Sequence, residues 1–339
     1  MAPPSRGRRL ARRVVPVGSI LVAVLAVGVG AWWASARTPV VSAVITRPAP
    51  ELGPRAHVLL PDLVDAEMVV PDRPHDPAEV RAADRFAKIT RRRSFRVSTN
   101  SRGLRAPEID PHKGAARVVA LGDSVTFGWG VPVEDSYPAQ LSDRLGIEVI
   151  NTGVPAMKPG SMAAWARLHL ADLQPDLVLF TRRPDHGVPD PWGDFQRAVR
   201  QVQQAARPAP VAVVMPPVST FDPRGARGWE EERRRVAELV APVPVLDLTP
   251  AFRKALPRPG VVLEQHGGRQ QVVRLPGAEV VVDVAAPADG LAPQVVAAFE
   301  ADPDLAEPLF FDGGHPDAAG FVLFADAVAE FIRDERLLR

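Results

Sequence analysis

Arg117–Gly130 reads RVVALGDSVTFGWG. Val118, Val119, Ala120 and Leu121 form a short unbroken apolar run, the pattern of a strand buried on both faces of a parallel sheet. The run stops at Gly122-Asp123-Ser124. Glycine allows a tight turn where a side chain would clash, and such a turn delivers Ser124 at the carboxyl end of the strand. Open α/β sheets bind their ligands at that edge. A serine held there is a candidate nucleophile if a histidine reaches it. Read alone, Gly-Asp-Ser is equally a polar turn.

Downstream, strand and helix signals alternate. Ser136–Leu145 has a serine cap, Pro138 in its first turn and Gly146 past its end, which is helix punctuation. Ile147–Ile150 reads as a strand ending in Asn151-Thr152-Gly153. Ser161–Leu173 reads as a helix capped by Ser161, with Met162, Trp165 and Leu168 on one face. Asp176–Phe180, Val211–Met215 and Val243–Leu248 supply three more strands, separated by charged helices near Asp194–Ala206 and Trp229–Leu239. Strands joined by helices imply crossovers and a parallel sheet with helices on both faces. Gly260–Ala285 breaks the rhythm: Val261–His266, Gly267-Gly268 and Arg269–Leu275 give a hairpin, and Val280–Val284 a third antiparallel strand. This insertion is open to two readings, a lid over the site or a flap without a role in it. A last helix runs from Ala318 to about Leu337, with Phe321, Phe324, Val328 and Phe331 on its apolar face.

The chain has 339 residues, of which 46% are apolar and 24% charged, ordinary for a globular protein with a sizeable core. A net charge of +1 gives no case for a nucleic-acid partner. The absence of cysteine excludes disulfides, thiolate metal sites and a cysteine nucleophile. Arg6, Arg8, Arg9, Arg12 and Arg13 precede Val14–Ala34, an uncharged run. About twenty apolar residues cross a bilayer, and the arginines orient the N-terminus to the cytoplasm. The expected organisation is a basic cytoplasmic segment over 1–13, a transmembrane signal anchor over 14–34 and a proline-rich extracytoplasmic linker over 35–93. A catalytic domain follows over 94–339. Cleavage as a signal peptide near Ala36 is the alternative, since Ala34-Ser35-Ala36 suits a peptidase; both readings export the domain. Arg91-Arg92-Arg93 reads as a solvated basic run. Ser94–Arg105, SFRVSTNSRGLR, reads as a strand meeting a turn, a hairpin leading into the domain.

Just before the last helix stands Phe311-Asp312-Gly313-Gly314-His315-Pro316. A serine nucleophile needs a base, and the base needs an acid to fix its tautomer; Asp312 and His315 offer both from one loop. His57, His75, His112, His169 and His266 show no metal-ligand spacing, and Gly128-Trp129-Gly130 falls short of a dinucleotide fingerprint. No metal or cofactor is expected. Trp129, close behind the nucleophile turn, is read as core packing or the wall of an acyl pocket.

With these motifs in hand, the stretch from about Ser94 to the C-terminus resembles the SGNH hydrolases, also called GDSL esterases and lipases. The resemblance is carried by Gly122-Asp123-Ser124 with the following Val-Thr-Phe-Gly-Trp-Gly, by Asn151-Thr152-Gly153 and by Asp312-Gly-Gly-His315-Pro316. Asn100-Ser101-Arg102-Gly103-Leu104-Arg105 is similar to a lead-in segment of exported bacterial members. The resemblance implies a flavodoxin-like three-layer α/β/α fold with a parallel five-stranded sheet, to which the 260–285 hairpin is added. It also implies Ser124 as nucleophile, His315 as base and Asp312 as its partner. The oxyanion hole would use the N–H groups of Ser124 and Gly153 and an asparagine side chain. After the third strand, however, the chain runs Thr181-Arg182-Arg183-Pro184-Asp185-His186, with Pro184 in the asparagine's place. Losing one such donor costs roughly 2.7–4 kcal/mol of transition-state stabilisation. Arg182, Arg183 and His186 are the candidate substitutes, against the plainer reading of solvated loop charges. Three functions remain open: an exported esterase acting on a small ester or an acylated envelope glycan, an O-acyltransferase on envelope polysaccharide, and a silent envelope-binding domain.

Overall fold

A computed structural model describes residues 45–69, 94–218, 225–255, 262–266, 270–275, 278–283, 309–312 and 315–338, all within one compact unit, Ile45–Arg339. The basic segment 1–13, the apolar run Val14–Ala34 and Arg91-Arg92-Arg93 lie outside the described residues. Among the described residues no helix is long and apolar enough to cross a membrane.

Two small antiparallel ladders come first. β1 (Thr46–Pro48) pairs with β2 (His57–Leu59), and β3 (Ala66–Val69) pairs with β4 (Ser94–Val97). The strand expected at Ser94 therefore exists, but its partner precedes it in the chain. The Asn100–Leu104 turn that follows does not fold back into a hairpin. Its Asn100 side chain instead accepts from the Arg102 and Leu104 N–H groups, both at 3.0 Å. The folded unit thus extends well to the N-terminal side of Ser94.

The main sheet is built from β5 (Arg117–Gly122), β6 (Glu148–Asn151), β7 (Leu177–Thr181), β8 (Val211–Met215) and β9 (Val245–Asp247), in spatial order β6-β5-β7-β8-β9 and parallel throughout. Its helices are α1 (Ser124–Phe127), α2 (Tyr137–Leu145), α3 (Pro159–Leu173), α4 (Pro191–Ala206), α5 (Gly225–Val240), α6 (Thr249–Ala255) and α7 (Ala318–Asp334). Period-two alternation sorts the core. Val118, Ala120, Leu177 and Leu179 pack with Tyr137 of α2 and Phe321, Phe324 and Val328 of α7. Phe180 faces the other way and meets Phe195 of α4 edge-on at 5.6 Å. The result is the expected three layers.

Some boundaries differ. α3 starts at Pro159 with Lys158 at its cap, so Ser161 lies inside the first turn; proline at the first helical position needs no N–H and suits that start. Leu168 is exposed, whereas Met162 and Trp165 are buried. The insertion forms an antiparallel meander of β10 (Val262–His266), β11 (Gln270–Leu275) and β12 (Ala278–Asp283). β13 (Phe310–Asp312) and β14 (His315–Pro316) then lead into α7.

Tyr137 ties the layers together beneath α1. Its ring stacks on Phe324 at 4.3 Å, and its hydroxyl meets Thr181 Oγ1 at 2.7 Å and Thr126 Oγ1 at 3.3 Å. Complete burial pushes the phenol up to about 12. The folded state then holds this proton more tightly than the unfolded chain, so its contribution to stability is intact below pH about 10 and is lost as pH rises to about 12. Tyr137→Phe, which leaves two buried threonine hydroxyls short of a partner, should destabilise the fold by about 1–3 kcal/mol at neutral pH. In urea titrations that gap should narrow across the same alkaline window.

Candidate active site

The last residue of β5, Gly122, hands the chain to Asp123, which caps α1 by accepting the Val125 N–H at 3.1 Å. Ser124 is the first residue of this single-turn helix. The turn closes at Gly128, whose φ of 81° lies in the left-handed region, and the Trp129 N–H returns to the Ser124 carbonyl at 3.0 Å. Ser124 is thus fixed at both ends of its turn.

A buried guanidinium holds the far end of the turn. Arg105, 1% exposed, donates through Nη1 to the carbonyls of Phe127 and Gly128, both at 2.8 Å. Its Nη2 donates to Val131 O at 2.8 Å and Arg96 O at 3.0 Å. These include carbonyls that a helix C-terminus leaves without partners. Its plane also lies over Phe127 at 4.7 Å and Phe95 at 5.5 Å. A Cβ on residue 128 would come within 3.0 Å of Arg105 Nη1 and 2.6 Å of Ser136 Cβ, so glycine serves both conformation and space there. Burial lowers the Arg105 pKa to about 10, which leaves it charged at neutral pH. The sequence places Arg105 only at the end of a lead-in segment; its burial beside a nucleophile turn is visible only in three dimensions.

The base arrives from the other end of the chain. His315 Nε2 lies 2.8 Å from Ser124 Oγ. His315 stands on β14, directly opposite Asp312 on β13 in the antiparallel register, and directly opposed residues have Cβ atoms about 4.5–5.5 Å apart. For Asp312 the backbone register is what the structure describes. Two residues beyond His315, Asp317 caps α7 by accepting the Gly320 N–H at 2.8 Å, which fixes the ladder to a long helix.

The Asn151-Thr152-Gly153 loop lies against α1. A Cβ on Gly153 would fall 2.2 Å from the Phe127 nitrogen, so only glycine permits this approach. The Gly153 N–H donates to Asn151 Oδ1 at 2.9 Å within its own turn. Thr152 fastens the loop to β5, its N–H and hydroxyl both donating to Ala120 O.

The three residues considered as substitute donors part company. Arg182 follows β7 and ion-pairs with Asp123 Oδ2; its Nε is buried with no hydrogen-bond partner among the described residues. Burial lowers its pKa. Arg183 is spent elsewhere, donating to Pro216 O at 2.6 Å, Glu232 at 2.8 Å, Asp247 at 2.7 Å and Thr249 at 2.8 Å. His186, half exposed, meets Glu232 Oε1 at 3.0 Å and packs edge-on against Trp192. The reading of solvated loop charges is therefore corrected for both arginines. Each is largely buried, because the carboxylates of Asp123, Asp247 and Glu232 offset the desolvation. Among the described residues no cluster of histidine, aspartate and glutamate could hold a metal ion.

Residues 120–260 match the model of the GDSL-like Lipase/Acylhydrolase family. Among curated proteins, none matches the sequence. Similar solved structures include a lipolytic protein of the G-D-S-L family from Desulfitobacterium hafniense DCB-2, at 16% identity over 64% of this chain and 99% of that one, with a TM-score of 0.38. An acylhydrolase from Bacteroides fragilis NCTC 9343 aligns at 15% identity over 69% and 92%, TM-score 0.40. An acetylxylan esterase from Geobacillus stearothermophilus aligns at 17% identity over 65% and 94%, TM-score 0.38.

Arg105 offers a direct test of how the turn is held. Arg105→Met should cost about 1–3 kcal/mol by leaving buried carbonyls unpaired. Arg105→Lys should recover only part, since an ammonium cannot span four carbonyls in a planar fork. Equal denaturation midpoints for lysine and arginine would reduce the role to charge alone.

Proposed function

We propose that this chain, which carries a GDSL-like lipase/acylhydrolase domain, is a serine esterase acting through a covalent acyl-enzyme. The observation that carries the reading is the 2.8 Å contact between His315 Nε2 and Ser124 Oγ, two atoms 191 positions apart in the chain. In this reading His315 takes the hydroxyl proton as Ser124 Oγ attacks the ester carbonyl. The imidazolium then protonates the departing alcohol. Water, activated by the same imidazole, releases the acid and restores the serine. Asp312, opposite His315 in the ladder, is the group proposed to orient the ring and offset its positive charge.

The developing oxyanion needs donors. The Ser124 N–H is the first, at the start of α1 where no intrahelical acceptor exists. Gly153 would have to release its N–H from Asn151 Oδ1 to serve as the second. Pro184 has neither an N–H nor a side-chain donor. Arg182 is proposed as the third, because β5 and β7 are neighbours where the strand order reverses, so Ser124 and Arg182 flank one crevice. Arg183 and His186, bound toward α5 and β9, are not assigned this role. The occupied Gly153 N–H also favours a second reading, a site of low turnover kept chiefly for binding.

The substrate proposed is a small acyl ester, such as an acetyl group on an envelope glycan, with the domain outside the cytoplasm on an N-terminal membrane anchor; the charge pattern of residues 1–34 supports this. Incubated with a fluorophosphonate, the protein should be labelled and Ser124→Ala should not. Absence of labelling in both would favour the binding reading. With p-nitrophenyl acetate, Arg182→Ala should lower kcat by about 10²–10³ with KM little changed; an unchanged kcat would return oxyanion binding to the backbone. Acetate release in water, against transfer to an added glycan, separates hydrolase from acyltransferase.

A further inference from the structure

The 2.8 Å hydrogen bond between Ser124 and His315 joins segments with no covalent proximity, so something must set their separation. Among the described residues, Trp129 lies against both. Trp129 donates its N–H to the Ser124 carbonyl at 3.0 Å. Its ring centroid lies 6.0 Å from that of His315, with the planes tilted by 36°. Gly128 and Gly130 on either side both have positive φ, 81° and 84°, which makes the abrupt reversal that turns the indole back over the histidine.

The indole is itself held from behind. Phe95 of β4 meets it edge-on at 5.9 Å, and Phe127 of α1 lies at 6.4 Å. Those two rings meet each other at 6.4 Å, and the Arg105 guanidinium covers both. The three rings thus form a triangle, with a fixed cation over the two phenylalanines and the imidazole beyond the indole. Aromatic rings fill such a cluster with few rotatable bonds, so the indole has little freedom to move.

We infer that Trp129 is a positioning residue for His315, fixing the imidazole at hydrogen-bonding distance from the hydroxyl whose turn the same residue closes. The inference rests on the proposed base role of His315 but can fail separately from it. Trp129→Phe should keep the rate of Ser124 labelling by a fluorophosphonate within about threefold, because a ring still backs the histidine. Trp129→Leu should lower it about tenfold or more, a share of the 10²–10⁴ that a positioned base supplies. In a His315→Ala background the same leucine substitution should add nothing, since its effect passes through the imidazole. An equal fall in that background, or no fall with histidine present, would overturn the inference. A second readout needs no activity: carbon-13 relaxation of the His315 ring should show a rigid imidazole in the parent and in Trp129→Phe, and a mobile one in Trp129→Leu. A ring equally rigid in all three would sink the positioning role. An unlabelled Ser124 in the parent protein would instead count against the esterase reading, with the relaxation result still deciding the role of Trp129.

Discussion

A strand hydrogen-bonded along both edges and covered on both faces has only its ends free, and β5 is such a strand. Val118, Val119, Ala120 and Leu121 are each completely buried, with β6 on one side and β7 on the other. Polar chemistry cannot be placed along it without burying an unsatisfied group. Whatever the chain does with this strand must happen where it stops. Ser124 stands at that stop, and the neighbouring β7 delivers Arg182 to the same edge.

The edge is kept in order by two buried guanidinium groups that solve the desolvation problem differently. Arg105 is paired with carbonyl oxygens, spreading one charge over four partial ones and two ring faces. Arg182 is paired with the carboxylate of Asp123, the residue whose other oxygen caps the serine turn. The first arrangement is saturated along Nη1 and Nη2 and serves as a fastening. Both leave their Nε buried without a hydrogen-bond partner among the described residues; what separates them is the counter-charge, carbonyl dipoles around Arg105 and a full carboxylate at the serine turn for Arg182.

Much of the sheet was legible in the sequence because a fully buried parallel strand must be apolar at every position. Val211–Met215 is observed with the bounds expected of it, and the meander after residue 260 follows from its alternation and its glycine pair. Helix starts were less legible. Ser161 carries the chemistry of a cap, yet Pro159 starts α3 two residues earlier. The Ser136 hydroxyl, at the cap of α2, donates to Val133 O at 2.6 Å and accepts no N–H from its own helix. The pairing of β3 with β4 was hidden because the partner strand lies across a long intervening segment. The burial of Arg182 and Arg183 was hidden because their counter-charges sit on other strands and helices. The convergence of Ser124 and His315 could be anticipated only from the chemistry a serine nucleophile requires and from resemblance, since no periodicity links positions so far apart.

The segment before β4 is more than a lead to the domain. Thr99 Oγ1 donates to Leu60 O at 2.7 Å and accepts the Leu63 N–H at 3.0 Å, and the Asp62 N–H reaches Asn100 O at 3.1 Å. Gly103 is so close to Leu59 that a Cβ there would sit 2.7 Å from its carbonyl oxygen. Residues 59–63 thus form the bed on which the Asn100–Leu104 turn rests, and that turn presents Arg105. A shortened chain opening at Ser94 would keep every residue assigned to chemistry and still lose the floor beneath its nucleophile.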